Sequence, residues 1–410
     1  LKEMYVMAVK KVINLAPITP MKELNTKEKY FNPFPIYEMF RKENPVRYDE
    51  ERKCWDIFLY EDVDYVLKHH ELFSSQQQRM VEGENLLRMD PPRHKQMRDL
   101  VNKAFTPREI NNLAPRIKEI TNQLLQDVMD KEEMKMIHDF AMPLPVIVIA
   151  DLLGVPAEDR EKFKEWSDIL VKGVSENKPE AYEAVKHEQQ NARDELKEYL
   201  HRIVHVRRLD PKQDIISALL SSEVDGDKLT DSEILEFSML LLAAGNETTT
   251  NLITNGVRLL TEIPSLQKQV TNDLSLVPTM VEEVLRFYPP VQAPSRIAIK
   301  DVELRGKTIR EGDAVTAWVA SANRDESKFP HANVFQADRK PNQHLTFGKG
   351  IHFCLGAPLA RLEAKIAFEE MLSKCTNLQL KEGSLIERTP APQMYGVVEY
   401  PVTFSVTSSL

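Results

Sequence analysis

The chain has 410 residues, and no Gly/Ser-rich or Pro-rich linker and no internal repeat divides it, so residues 1–410 read as a single domain. Its net charge of −9 argues against generic nucleic-acid binding, which requires a basic face. No segment reaches the ~20 consecutive apolar residues of a membrane span. The three cysteines, Cys54, Cys354 and Cys375, make no disulfide framework, so the expectation is a cytoplasmic protein without a membrane anchor.

Residues 46–48 and 54–59 flank a polar turn at 49–53 and read as a β-hairpin. A short helix is expected at 61–68 and a polar loop with a glutamine run at 74–87. Asp90-Pro91-Pro92 then opens a helix, since Pro suits the first turn and Asp the cap. That helix carries His94 and Arg98 at i, i+4, which is either an exposed basic face or a site for an anionic group. From 107 to about 206 the pattern is mostly helical, with breaks at Pro143, Pro145, 154–156 and 175–179.

The longest helical stretch runs from Asp231 to about Glu262, with a cap at Thr230 or Asp231 and a stop at Pro264. At 1.5 Å per residue it would span ~45 Å. Its middle, 243–250, reads AAGNETTT. Glycine costs roughly 1 kcal/mol relative to alanine inside a helix, and three threonines add β-branched strain. Either a tight helix crossing needs small residues here, or the hydrogen-bond ladder opens locally, like a π-type bulge, beside Glu247 and Thr248 as an acid–alcohol pair. A helix at 278–287 carries Glu283 and Arg286 at i, i+3, by default a surface ion pair. Short strands are expected at 296–300, 302–304 and 314–319, then an irregular stretch, a helix at 357–374 and a strand at 397–406. The pattern is helix-dominated with a few strands, not repeated βαβ units.

Residues 347–356, FGKGIHFCLG, set Cys354 among Gly348, Gly350 and Gly356, with His352 two residues before it. Glycines let a backbone approach a flat partner closely. A thiolate is a strong metal ligand, and backbone N–H groups ahead of a helix would hold it as thiolate. A lone cysteine would read as a buried loop residue, but here the whole spacing F-G-x-G-x-H-x-C-x-G is present. It resembles the haem-binding loop of the cytochrome P-450 family.

The resemblance extends over nearly the whole chain, through MDPPRH (89–94), AGNETT (244–249), E-x-x-R (283–286) and ASANRDE (320–326), and its character is similar to that of soluble bacterial members. It implies a mainly α fold with minor β, a helix-rich lobe and a small β-rich lobe with haem b between them. It implies Cys354 as the iron ligand, with Phe347, Gly356 and Ala244 against the cofactor and His94, Arg98, Arg296 and His352 on its propionates. Thr248 and Glu247 match the oxygen-activation motif, and Glu283, Arg286 and Arg339 match a buried structural triad. A substrate pocket would draw on 74–87, 171–182, Leu240, Ala243, Ala244, Gln292, Ala293, Met394 and Tyr395, with Arg79, Gln292 and Tyr395 as its polar options. One departure is Asn342-Gln343-His344, where such proteins often have N-P-H.

The implied activity is a haem-thiolate monooxygenase that inserts one atom of O2 into a hydrophobic small molecule such as a fatty acid, terpenoid or steroid. Electrons would come from a ferredoxin- or flavodoxin-type donor with its own reductase, because this chain has no G-x-G-x-x-G on a strand–helix turn. That donor would meet a locally basic face at Lys349, Lys95, Arg98 and Lys103. Two alternatives remain: a peroxide-driven haem-thiolate oxidase, disfavoured by the Glu247–Thr248 pair, and a non-catalytic haem sensor or electron carrier, which has no reason to keep that pair.

Overall fold

The structure, a computed structural model, describes residues 20–76, 86–171, 179–224 and 226–407. Arg79, most of the loop expected at 74–87, and 172–178 within the expected pocket segment lie outside them.

Helix α1 (Phe34–Glu43) starts at a proline pair, where the missing N–H costs nothing. The expected hairpin follows as β1 (Val46–Asp49) and β2 (Cys54–Ile57), paired antiparallel. Then come α2 (Tyr60–Lys68), the two-residue strand β3 (Phe73–Ser74) and α3 (Arg93–Ala104). Asp90 does not cap α3 with its side chain. The carboxylate turns back instead to the Ser74 hydroxyl and, at 3.2 Å, to the Ser75 amide. Helix α4 (Ala114–Met129) leads to a short strand, β4 (Glu133–Lys135), and a π-helical turn, Met136–Ala141, both unforeseen in the helical reading of this region. Helices α5 (Pro143–Leu152), α6 (Arg160–Val171) and α7 (Pro179–Leu209) complete the layer that surrounds the central helix.

That central helix, α8 (Asp231–Glu262), has a full capping box in which Thr230 and Glu233 satisfy each other's backbone N–H groups. It is buried at every residue from Thr249 to Leu260 and packs against α5, α6, α7, the π-helical turn, α9 (Val277–Phe287) and α10 (Ala357–Lys374). The expected break at 243–250 is absent: α8 is α-helical throughout. Gly245 answers instead to the tight-crossing reading, since a Cβ there would lie 2.6 Å from Ile149 Cδ1 on α5.

Strands β5 (Ser295–Ala298) and β6 (Ala314–Ala317) join the hairpin in a five-stranded sheet of order β1-β2-β6-β5-β3, parallel only between β2 and β6. This sheet has its own apolar core, including Val46, Ile57, Phe73, Val315 and Leu345. A second sheet, of order β7 (Cys375–Leu380), β8 (Pro401–Val406), β4, seals the end of the helical layer. The segment leading to Cys354 therefore leaves the β core at Leu345 and enters the helical core at α10.

Candidate functional site

The cysteine loop is shaped by two glycines in the left-handed region, Gly348 (φ +72°) and Gly350 (φ +65°). At Gly350 the reason is steric as well: a Cβ would sit 3.1 Å from the Leu67 carbonyl oxygen at the end of α2. The Cys354 amide donates to the Phe347 carbonyl at 2.8 Å and closes the loop. Burial pushes the Cys354 thiol up, while the amides of Gly356 and Ala357 pull it down. The net direction is upward, so these N–H groups do not by themselves hold a thiolate, as the sequence suggested. A cation at the sulfur is needed to complete that work.

Arg98 comes from α3 and donates to the Phe353 carbonyl at 2.8 Å, one residue before the cysteine. His94, one turn earlier, faces His352 with ring centroids 4.4 Å apart. Arg296 on β5 is half-buried and donates at 2.8 Å to the carbonyl of its neighbour Ser295. The sequence-predicted basic groups thus converge from three separate elements. His94 Nε2 and His352 Nε2 are buried with no hydrogen-bond partner. Among the described residues, a carboxylate oxygen approaches His352 Nε2 only from Asp90, 4.0 Å away. Burial, and then the Arg296 charge, push His352 down to about 3. Burial also lowers His94, Arg98 and Arg296. Buried ring nitrogens left unpaired beside two arginines, with no carboxylate bonded to any of the four groups among the described residues, fit a ligand that brings its own carboxylates, and the two propionates of haem do so.

On α8, Ala243 and Ala244 are exposed although they lie in the middle of a buried helix. They leave this side of α8 uncovered, and an exposed apolar helix face suits a flat ring. Glu247 and Thr248 lie on the same side, both half-buried, and burial raises the Glu247 carboxyl. The Thr248 hydroxyl donates to the Ala244 carbonyl at 2.7 Å. Such back-bonding satisfies the hydroxyl within an intact helix.

Of the other expected pocket residues, Leu240 and Met394 are half-buried and Ala293 is buried. Gln292 is fully buried and spent on the fold: its Oε1 accepts from the Tyr37 hydroxyl at 3.2 Å and its Nε2 donates to the Pro392 carbonyl at 3.0 Å. Tyr395 is likewise engaged, its hydroxyl donating to the Phe31 carbonyl at 3.2 Å. Neither polar option is turned to a ligand.

Glu283 and Arg286 are not a surface pair, as both are fully buried. The Glu283 carboxylate accepts from Arg286 at 2.7 and 2.8 Å, from Arg339 Nε at 2.9 Å, from the Gln336 amide at 3.0 Å and from Asn342 Nδ2 at 3.1 Å. Asn342 escaped the sequence reading, although its departure from the usual N-P-H lies one residue later. Also missed was Asn323, which donates to Thr346 and accepts from the Leu345 amide, pinning the entrance of the cysteine loop. Glu282 was missed too. Burial pushes its carboxyl up, but bonds from Arg361 and His344 outweigh this and bring it down to about 2.

A family model described as Cytochrome P450 matches residues 26–406. Cytochrome P450 109 of Bacillus spizizenii is 47% identical over 388 residues, 94% of this chain and 95% of that protein. Crystal structures of CYP109E1 from Bacillus megaterium superpose with TM-scores of 0.87 in complex with corticosterone and 0.85 in complex with testosterone. They are 45% and 44% identical, covering 92% and 91% of this chain and 99% of that protein in each case. These matches lead to one conclusion: the chain belongs to the cytochrome P450 family and is a haem b monooxygenase of hydrophobic small molecules.

Proposed function

We propose that this monooxygenase acts on hydrophobic molecules of steroid size, in the cytoplasm, as one domain, with electrons from a separate ferredoxin- or flavodoxin-type donor and its reductase. The observation that carries the substrate class is the identity of 44–45%, over nearly full length, to an enzyme crystallised with testosterone and corticosterone. The alanine opening on α8 and the internal pairing of Gln292 and Tyr395 support an apolar ligand. Three unpaired cysteines, and no helix among the described residues long and apolar enough to cross a membrane, support the location.

In this reading Cys354 ligates the iron, Phe347, Gly356 and Ala244 pack on the ring, and His94, Arg98, Arg296 and His352 hold the propionates. The haem, when bound, supplies the reductive activation of O2 and the oxidising power. Glu247 collects protons from solvent, and its raised carboxyl keeps one available nearer neutrality. Thr248 passes the proton inward when its hydroxyl leaves the Ala244 carbonyl. Leu240, Ala243, Ala293 and Met394 position the substrate and keep water from the reacting centre.

The donor docks on the face behind the cysteine loop. A hollow of about 450 Å³ there is bordered by Lys68, Lys328, Lys349 and Arg361 around Tyr60 and Phe353, with Asp64 pairing Lys68 at 2.5 Å and Glu282 pairing Arg361 at 2.7 Å, so Lys328 and Lys349 carry its basic character. Two of the expected contacts also hold local bonds: Lys95 pairs with Asp99 at 2.6 Å and Lys103 reaches the Glu223 carbonyl.

The substrate class is tested by titrating the ferric holoenzyme with testosterone, corticosterone and a long-chain fatty acid. Both steroids should shift the Soret band. A shift with the fatty acid and none with either steroid would overturn the proposed class.

A further inference from the structure

The face of α8 opposite the exposed Ala243 and Ala244 is tied down by a buried polar chain that no catalytic role explains. Asn246 directly precedes Glu247, and its side chain is 1% exposed. Its Nδ2 donates to the Ser167 hydroxyl on α6 at 2.6 Å, and Ser167 is equally buried. Its Oδ1 accepts from the Thr250 hydroxyl at 3.3 Å, and that hydroxyl also lies 3.2 Å from the Ala141 carbonyl, the last residue of the π-helical turn. One helical turn is therefore held by α6 and by the π-helical turn at once, while its other side presents Glu247 and Thr248. Helix α6 is itself tied to α7 by Trp166 Nε1 to Glu195 at 2.9 Å and by Gln189 to the Leu170 carbonyl at 3.2 Å.

An amide is a costly choice at this position if packing is the only demand. Ser167 and Asn246 lie 79 residues apart and each needs the other to avoid a buried unpaired polar group. An apolar pair of similar size would fill the same space without that dependence. What the pair adds is directionality: the bond forms in one register of α6 on α8 only.

We propose that Asn246 is a positioning residue for proton delivery: clamped by Ser167 and Thr250, it makes the turn that presents Glu247 and Thr248 answer to where α6 sits on α8. The proposal rests on the role given above to Glu247 and Thr248. With α6 seated, the acid and the hydroxyl are held in one arrangement. With the Asn246–Ser167 bond broken, α6 and the proton-delivering turn move independently, and reduced oxygen is lost before it reaches the substrate.

The test uses ferric holoenzyme and three variants, Asn246→Ala, Ser167→Ala and the double variant. The first readout is the dissociation rate of clotrimazole, a bulky imidazole that ligates the haem iron, followed by its Soret change. Each single variant should speed release about five- to tenfold, the worth of one buried hydrogen bond, and the double variant should be no faster than either single one. The second readout is the fraction of donor electrons recovered as peroxide during turnover with testosterone, which should rise in the same variants. Unchanged release in both single variants, or effects that add in the double variant, would overturn the clamp. Faster release with no rise in peroxide would overturn its link to proton delivery. Thr248→Ala keeps the two ideas apart: it should raise peroxide and leave clotrimazole release unchanged. If Thr248→Ala raises no peroxide, the role of Thr248 fails, and clotrimazole release still decides the clamp. Should Asn246→Ala fail to fold, Ser167→Ala carries the comparison alone, and unchanged release in it overturns the clamp.

Discussion

Thr248 and Glu247 share a helical turn, but their surroundings divide their work. The hydroxyl is engaged locally with Ala244, while the carboxyl is raised by burial alone. Thr248→Ala should still load haem, bind substrate and accept electrons, yet product formed per donor oxidised should fall by roughly tenfold or more. Glu247→Gln should slow turnover with less peroxide released, because proton supply weakens while the inner hydroxyl stays. One assay counting donor oxidised, peroxide and product checks both, and tight coupling in Thr248→Ala would refute the assignment. Glu363 makes a separate prediction. It is fully buried in α10 with Oε2 unpartnered, and burial pushes its carboxyl up to about 8. Between an unfolded value of about 4.3 and that folded value, the native state keeps a proton that the unfolded chain has released. Stability therefore falls as pH rises through this window. Glu363→Gln removes the dependence and should gain stability on the order of 3 kcal/mol at pH 8, and far less at pH 5. Urea melts of both proteins at the two pH values measure it.

At the scale of elements, α9 and the irregular segment behind it are held together through one carboxylate. Glu283 accepts from two arginines, an asparagine and a backbone amide, so its removal leaves Arg286 and Arg339 buried without compensation. Breaking such a pair costs about 3–5 kcal/mol. Glu283→Ala should fail to yield haem-loaded protein, measured as haem per polypeptide after expression, and a fully loaded variant would return the pair to an ordinary role. The start of α8 is a gentler case: Thr230→Ala should destabilise by about 1 kcal/mol in a urea melt without changing the haem spectrum. Local signals of this kind were legible in the sequence. The hairpin, the Thr230 cap and the helix after Cys354 all depend on residues within a few positions. Asp90 was misread because its carboxylate goes to Ser74, sixteen residues back. Strand β7 was invisible because it exists only by pairing with β8, across about twenty residues. The π-helical turn and the Asn246–Ser167 bond depend on packing partners that no short window contains.

Across the whole molecule, the resemblance picked out the cysteine, the basic groups and the triad before any coordinates; in the structure His94 meets His352, Arg98 meets the cysteine loop, and Arg339 meets Glu283. It did not foresee that Gln292 and Tyr395 are used up internally, because such bookkeeping needs every donor and acceptor around them. Nor did it foresee the local bonds of Lys95 to Asp99 and of Lys103 to the Glu223 carbonyl. With Lys349 at the hollow behind the loop, Lys349→Glu should slow reduction by an acidic donor severalfold at low salt and flatten the salt dependence. An unchanged rate would remove Lys349 from the docking face. The central claim is the thiolate of Cys354 on haem iron, and the spectrum of the dithionite-reduced carbon monoxide adduct tests it most directly. Wild-type protein, Cys54→Ser and Cys375→Ser should all show the strongly red-shifted Soret band of a thiolate-ligated haem, and Cys354→Ser should lose it. Retention of that band in Cys354→Ser, or its loss in either of the other two with haem still bound, would contradict the account.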